Sequence, residues 1–129
     1  MLDERARRFL DGPNFASIAT AMPDGAPHVS TVWVDVDGDD VLVNVNEQRV
    51  KTSNVRRDPR VAISVFDQQD DPYEQVTIRG TVVDITAEGA DTHIDRLAKK
   101  YLGVDVYPWH DPAEQRLILR IRPDRVSSG

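Results

Sequence analysis

Residues able to do chemistry are concentrated in one run, Asn46-Glu47-Gln48-Arg49-Val50-Lys51-Thr52-Ser53-Asn54-Val55-Arg56-Arg57-Asp58-Pro59-Arg60. From Arg49 to Arg60 it holds five basic residues against one acid, so this stretch carries +4 and the rest of the chain −10. The net charge of −6 repels a nucleic-acid backbone, so a local cationic patch points to a small anionic ligand instead. The run begins where an alternating segment ends and a helical one starts. Backbone N–H groups left unpaired at a helix start therefore lie beside Arg49 and Lys51, which is the raw material of a phosphate cradle. Arginine offers a planar fork to phosphate oxygens and lysine a mobile point charge. A solvated helix face is the competing reading of the same residues.

Other chemistries find less support. The chain has no cysteine, which removes disulfides and thiolate metal ligands, and none of its serines sits in a nucleophile elbow. His28, His93 and His110 lack metal-ligand spacing and read as surface or hydrogen-bonding residues, so no metal is expected. Neither Gly-x-Gly-x-x-Gly nor the Walker lysine loop occurs. Trp33 and Trp109 each read as a pocket wall or as a buried structural residue. The segment Tyr107-Pro108-Trp109-His110-Asp111-Pro112 reads as a loop, where pocket-lining residues concentrate.

The elements that must position these residues follow from periodicity. Residues 3–11 carry Ala6, Phe9 and Leu10 at helical spacing and stop at Gly12-Pro13. Phe15 to Thr20 and Pro27 to Val36 flank the turn Pro23-Asp24-Gly25, with Ser30, Val32, Val34 and Val36 on one face of the second strand. After Asp37-Gly38, a third strand alternates through Val41, Val43 and Val45. Asn46 is placed to cap a helix over Glu47 to Arg57, which Asp58-Pro59 ends. Arg60 to Phe66 is the fourth strand. Glu74 to Ile85 is a long fifth strand whose Gly80 signals a bend or a close backbone approach. Thr86 to Leu102 reads as a helix with Ile94, Leu97, Ala98 and Tyr101 on one stripe, ended by Gly103. Leu117 to Ile121 is the sixth strand. Six strands with short helices predict a mainly β, closed or nearly closed antiparallel barrel, because closure removes exposed edges.

At 129 residues, 40% hydrophobic and 29% charged, the chain reads as one domain over 1–129. No apolar run is long enough to span a bilayer, and Met1-Leu2-Asp3-Glu4-Arg5 lacks a secretory pattern, so no membrane association and a cytoplasmic location are expected.

The strand order, together with Arg49-Val50-Lys51-Thr52-Ser53-Asn54-Val55-Arg56-Arg57-Asp58-Pro59-Arg60, resembles the pyridoxamine-phosphate-oxidase-like split β-barrel superfamily over about residues 5–126. More narrowly, Arg-x-Lys-x-x-Asn-x-x-x-Asp-Pro-Arg resembles the actinobacterial deazaflavin-dependent branch. The resemblance implies a six-stranded split barrel of the FMN-binding type and a homodimer with cofactor at the subunit interface. It implies that Lys51 contacts cofactor phosphate with Arg49 beside it, and that Ser30, Thr31, Val32 and Trp33 line the cofactor's ring system and linker. Asn54 either orients the phosphate loop or serves the helix, and Asp58-Pro59 is a helix stop.

In the flavin oxidases of that superfamily the preceding strand ends in an aromatic-Thr-Asn type of sequence and the lysine directly follows an arginine. Here Val43-Asn44-Val45-Asn46 stands instead, and Val50 separates Arg49 from Lys51. This departure favours coenzyme F-420 over FMN, and no oxidation of pyridoxamine phosphate is expected. The implied activity is hydride transfer from the reduced deazaflavin to a small conjugated acceptor, with no obligatory side-chain acid. An FMN-dependent enzyme on the same barrel and a non-enzymatic F-420 carrier are the alternatives.

Overall fold

The computed structural model describes residues 2–128. Its elements run α1 (Glu4–Asp11), β1 (Ala16–Ala21), β2 (Pro27–Val32), β3 (Val34–Asp37), β4 (Asp40–Asn46), α2 (Val50–Arg57), β5 (Arg60–Phe66), β6 (Gln75–Thr86), α3 (Ala90–Leu102) and β7 (Arg116–Ser127). The strands form one antiparallel sheet in the order β2-β1-β5-β6-β7-β4-β3. Its two edge strands, β2 and β3, are separated in the chain by Trp33 alone. The chain therefore steps from one edge of the sheet directly to the other. Only a sheet curled round until its edges meet permits that, which is the split barrel the strand pattern predicts.

The same step explains why there are seven strands where the sequence predicts six. Pro27 to Val36 is one extended course, but its first half pairs with β1 and its second with β4. Val32 and Val34 are buried on either side of Trp33, so the inward alternation runs through the change of partner while Trp33 itself stays outside the core.

Local chemistry accounts for the other elements. Asp3 caps α1 by accepting a hydrogen bond from the Ala6 amide at 2.7 Å, and Ala6, Phe9 and Leu10 are its buried residues. The bend expected at Gly80 is present: the β6–β7 register shifts between Arg79 and Gly80, where Gly80 faces Pro123. A Cβ there would lie 2.7 Å from Ile121 Cγ2 and 2.8 Å from the Arg122 carbonyl oxygen, so no side chain fits. Proline, which has no N–H to give to the ladder, is tolerated at this irregularity, and β7 continues to Ser127 instead of ending at Ile121.

Two predicted helix starts move. Asn46 does not cap α2; it belongs to β4, paired with Arg116, and the Glu47 amide donates to the Gln115 carbonyl. The ladder holds this backbone extended, so α2 begins at Val50 with Arg49 as an N-cap whose side chain makes no cap hydrogen bond. Thr86 likewise stays in β6, paired with Ile118, and α3 starts after Gly89, whose φ of 75° is the left-handed conformation glycine favours. Among the described residues, no helix is long and apolar enough to cross a membrane.

Candidate functional site

Where the sheet edges meet at Trp33, a cleft of about 230 Å³ opens between the barrel, the start of α2 and the segment before β7. Thr31, Val32 and Trp33 supply the seam, Asn44 to Asn46 the end of β4, and Arg49 and Lys51 the start of α2. Arg116 enters from the start of β7, and Tyr107 and Trp109 from the α3–β7 connection.

The cleft is cationic. Among the described residues its lining includes Arg49, Lys51 and Arg116 and no carboxylate; just outside it, Glu114 pairs with Arg116 at 3.7 Å. Burial lowers the pKa of the Lys51 ammonium, and the nearby charges of Arg49 and Arg116 lower it further. Lys51 is thus partly desolvated beside two like charges, an arrangement that an anion relieves. Lys51 Nζ donates to Ser30 Oγ at 3.2 Å, which aims the ammonium along β2 without neutralising it. Because α2 starts only at Val50, the Val50 and Lys51 amides have no acceptor within the helix.

One flank of the cleft is aromatic. Trp33 stacks on Tyr101 with centroids 5.1 Å apart and planes 7° from parallel, and Tyr101 stacks in turn on Phe15 at 5.7 Å. Trp33 meets Tyr107 edge-on at 6.0 Å, and Tyr107 meets Trp109 in the same way at 5.5 Å. The Tyr101 hydroxyl donates to the Asn14 carbonyl at 2.8 Å and accepts from the Val34 amide at 3.0 Å. Burial pushes its pKa up to about 12, so it stays a neutral pin behind the Trp33 ring. Asp95 on α3 accepts from the Tyr107 amide at 2.8 Å and pairs with His110 Nε2 at 2.7 Å, which ties the Tyr107 loop to the helix.

The sequence-derived site residues divide. Arg49, Lys51, Thr31, Val32 and Trp33 converge on the cleft. Ser30 stands behind Lys51 as its hydrogen-bond acceptor. Asn54 does not reach the cleft; it is 1% exposed and donates to Thr20 Oγ1 at 3.0 Å while accepting from Arg57, so it fastens α2 to β1. Trp33 and Trp109, ambiguous in sequence, both line the cleft.

Arg116 and Asn44 are the site residues that sequence reasoning missed. Arg116 is 13% exposed at its side chain; it donates to Tyr107 Oη at 3.1 Å and to Asn44 Oδ1 at 3.4 Å. Its guanidinium carbon also lies 4.9 Å from the Tyr107 ring centroid. The signal that places it beside Lys51 is the β4–β7 register, Asn46 opposite Arg116, which no local pattern encodes.

The chain is similar to an F-420 reductase at 31% identity, with 98% of both chains covered and a TM-score of 0.84. A conserved hypothetical protein of Mycobacterium tuberculosis matches at 24% identity and TM-score 0.74, over 99% of this chain and 84% of that one. A Listeria innocua protein described as a possible pyridoxamine 5'-phosphate oxidase matches at 19% identity and TM-score 0.64, over 88% and 86%. The last two are below 25% identical and speak for the fold alone. The family model for pyridoxamine 5'-phosphate oxidase spans residues 2–128, the same extent over which the curled sheet and its cationic seam are built, and the chain belongs to that family.

Proposed function

We propose that the cleft binds the deazaflavin coenzyme F-420 and that the protein is a reductase of small conjugated acceptors. The observation that carries this reading is the convergence of Arg49, Lys51 and Arg116 on one cleft, with only the 3.7 Å pair from Arg116 to Glu114 to offset their charge among the described residues, beside the aromatic flank of Trp33, Tyr107 and Trp109. Cations and free helix amides suit a phosphate; stacked rings suit a flat heterocycle. Lys51 and Arg49 hold the phosphate, and Thr31, Val32 and Trp33 face the ring system and linker. Bound in its reduced form, the coenzyme supplies a hydride. The protein orients donor and acceptor and excludes water, and no side-chain acid is required. Similarity to an F-420 reductase over the whole chain supports this choice of cofactor.

The working unit is a homodimer with the cofactor at its interface. On the outer sheet surface Thr31, Ser17, Ser64 and Thr77 lie side by side in register, and Val29, Ala19 and Ala62 form the next row, which Arg79 closes on β6. These small side chains, with Val29 and Phe66 exposed among them, make a face that a second copy covers, and Thr31 joins that face to the cleft. Sedimentation showing only a 14.5 kDa monomer at micromolar concentration would rule the dimer out.

FMN is the second reading, favoured by the family match itself. Equilibrium binding of F-420 and FMN side by side separates the two. In the same assay Lys51→Ala should lose affinity about ten- to a hundredfold, roughly 1.5–3 kcal/mol for a charge-assisted contact, with the fold intact. Unchanged affinity of Lys51→Ala at low salt would sink the anion-site assignment. Tight F-420 binding without turnover on a broad panel of unsaturated acceptors would identify a carrier instead of an enzyme.

A further inference from the structure

A half-buried polar chain, with the buried His93 at its centre, runs from β3 to the cleft. His93, on α3 and 3% exposed, has Nε2 3.1 Å from Asp35 Oδ2 and Nδ1 3.2 Å from Asn44 Nδ2. Asn44 Nδ2 also donates to the Ala90 carbonyl at 2.9 Å, while Asn44 Oδ1 accepts from Arg116 at 3.4 Å.

The polarity of every link is determined. A backbone carbonyl only accepts and a guanidinium only donates, so Asn44 must turn its nitrogen to Ala90 and its oxygen to Arg116. The reverse orientation would set acceptor against acceptor at one end and donor against donor at the other. With the amide nitrogen facing His93, Nδ1 must offer its lone pair, and the hydrogen of the neutral ring sits on Nε2, where the Asp35 carboxylate accepts it. Asp35 is itself secured by the Val36 amide at 2.9 Å and by Arg96 at 3.0 Å.

We propose that His93 is a positioning residue for the anion site: anchored through Nε2–H on Asp35, it orients the Asn44 amide, whose oxygen holds Arg116 at the cleft. Nothing in the chain from Asp35 to Asn44 needs to touch ligand. Arg116 has further holds in Tyr107 Oη and in Glu114 at 3.7 Å, and its contact with Asn44 is long for a charge-assisted bond, so the effect of losing His93 is moderate. The inference rests on the reading of the cleft as an anion site, to which Arg116 contributes.

The test combines a double-mutant cycle with a spectroscopic readout. His93→Phe keeps a planar aromatic ring, somewhat larger than imidazole, and removes both ring nitrogens, leaving Asp35 bonded to Arg96 and Asn44 bonded to Ala90. It should weaken F-420 binding about three- to tenfold, the worth of one hydrogen bond, and should cause no further loss in an Arg116→Ala background. Equal losses in both backgrounds would overturn the proposal. So would unchanged affinity of His93→Phe while Lys51→Ala loses tenfold or more, an outcome that leaves the anion site standing. If Lys51→Ala is silent as well, the anion site fails and this inference with it. Should His93→Phe not fold, ¹⁵N chemical shifts of the unaltered protein decide: the Nε2–H tautomer is expected, and a proton on His93 Nδ1 would overturn the assignment.

Discussion

At the N-terminal end of α2, Arg49 and Lys51 face a cleft with no carboxylate among its described lining residues; a third cation, Arg116, is close by and is paired with Glu114 at 3.7 Å. At its C-terminal end an equally basic set is answered within the chain. Arg56 pairs with Glu47, Arg57 donates to the Ala21 carbonyl and Asn54 Oδ1, and Arg60 grips Asp58 through two nitrogens. Charge density along the sequence is similar at the two ends; the field left over for a ligand is not. A cation whose partner is supplied by its own fold has little left to offer, and if exposed it is further screened by salt. The burial and like charges that lower the Lys51 pKa are costs that a bound anion reverses.

Removing the cations that face the cleft should have the largest effects. Beyond Lys51→Ala, Arg116→Ala should reduce F-420 affinity by about tenfold, near 1.4 kcal/mol, measured by equilibrium titration. A loss smaller than that of Arg57→Ala in the same assay would erase the contrast between the two ends. Binding should also weaken as salt rises, since Arg49 is exposed.

A carboxylate beside each region sharpens the comparison. Burial works against ionising Asp35, yet hydrogen bonds from His93, the Val36 amide and Arg96 hold its carboxyl well below the usual range. Hydrogen bonds from Arg60, whose own side chain is exposed, hold Asp58 at about 2. Both pKa values are lower folded than unfolded, so each group stabilises the fold above about pH 4 and loses that contribution as pH falls through the folded value. Thermal unfolding from pH 5 to 2 should therefore show Asp35→Asn losing less stability than the parent, by about 1 kcal/mol, and the difference should survive added salt. Any difference shown by Asp58→Asn should fade in salt, because its partner Arg60 is exposed where the His93 partner of Asp35 is buried. A salt-sensitive Asp35 effect would mean that its network is open to solvent.

The smallest effects belong to the answered arginines. Arg57→Ala should cost about 0.5–1 kcal/mol of stability through the hydrogen bonds to Ala21 and Asn54, with F-420 affinity changed less than about threefold. Arg56→Ala, losing one exposed pair, should leave both the unfolding midpoint and the affinity within error.

Much of the fold is legible because the signals are local. The apolar stripe of α1, the limits of β5, the helical stripe of α3 and the turn glycines follow from side-chain period and backbone preference. The errors cluster where a residue has two local claims and the sheet decides between them. Asn46 is a good cap that the β4–β7 ladder keeps extended, and Thr86 is held by Ile118. Of the candidate site, Arg49, Lys51 and the Thr31–Trp33 segment are readable from charge and motif, whereas Asn54 is drawn away from the cleft by Thr20.

By itself, the sequence determined which segments are strands and helices, where glycine must stand, and that one short run is basic in an acidic chain. Those are properties of neighbouring residues, set by period, sterics and formal charge. Only the tertiary structure decided that Trp33 is the seam of the barrel, that Arg116 joins Lys51 across residues far apart in the chain, and that His93 lies between Asp35 and Asn44. It also decided which cations of the basic run remain unanswered. The physical reason is that strand register and side-chain burial are collective: each contact exists only because the closed sheet brings distant residues within hydrogen-bonding reach, and no window along the chain contains both partners.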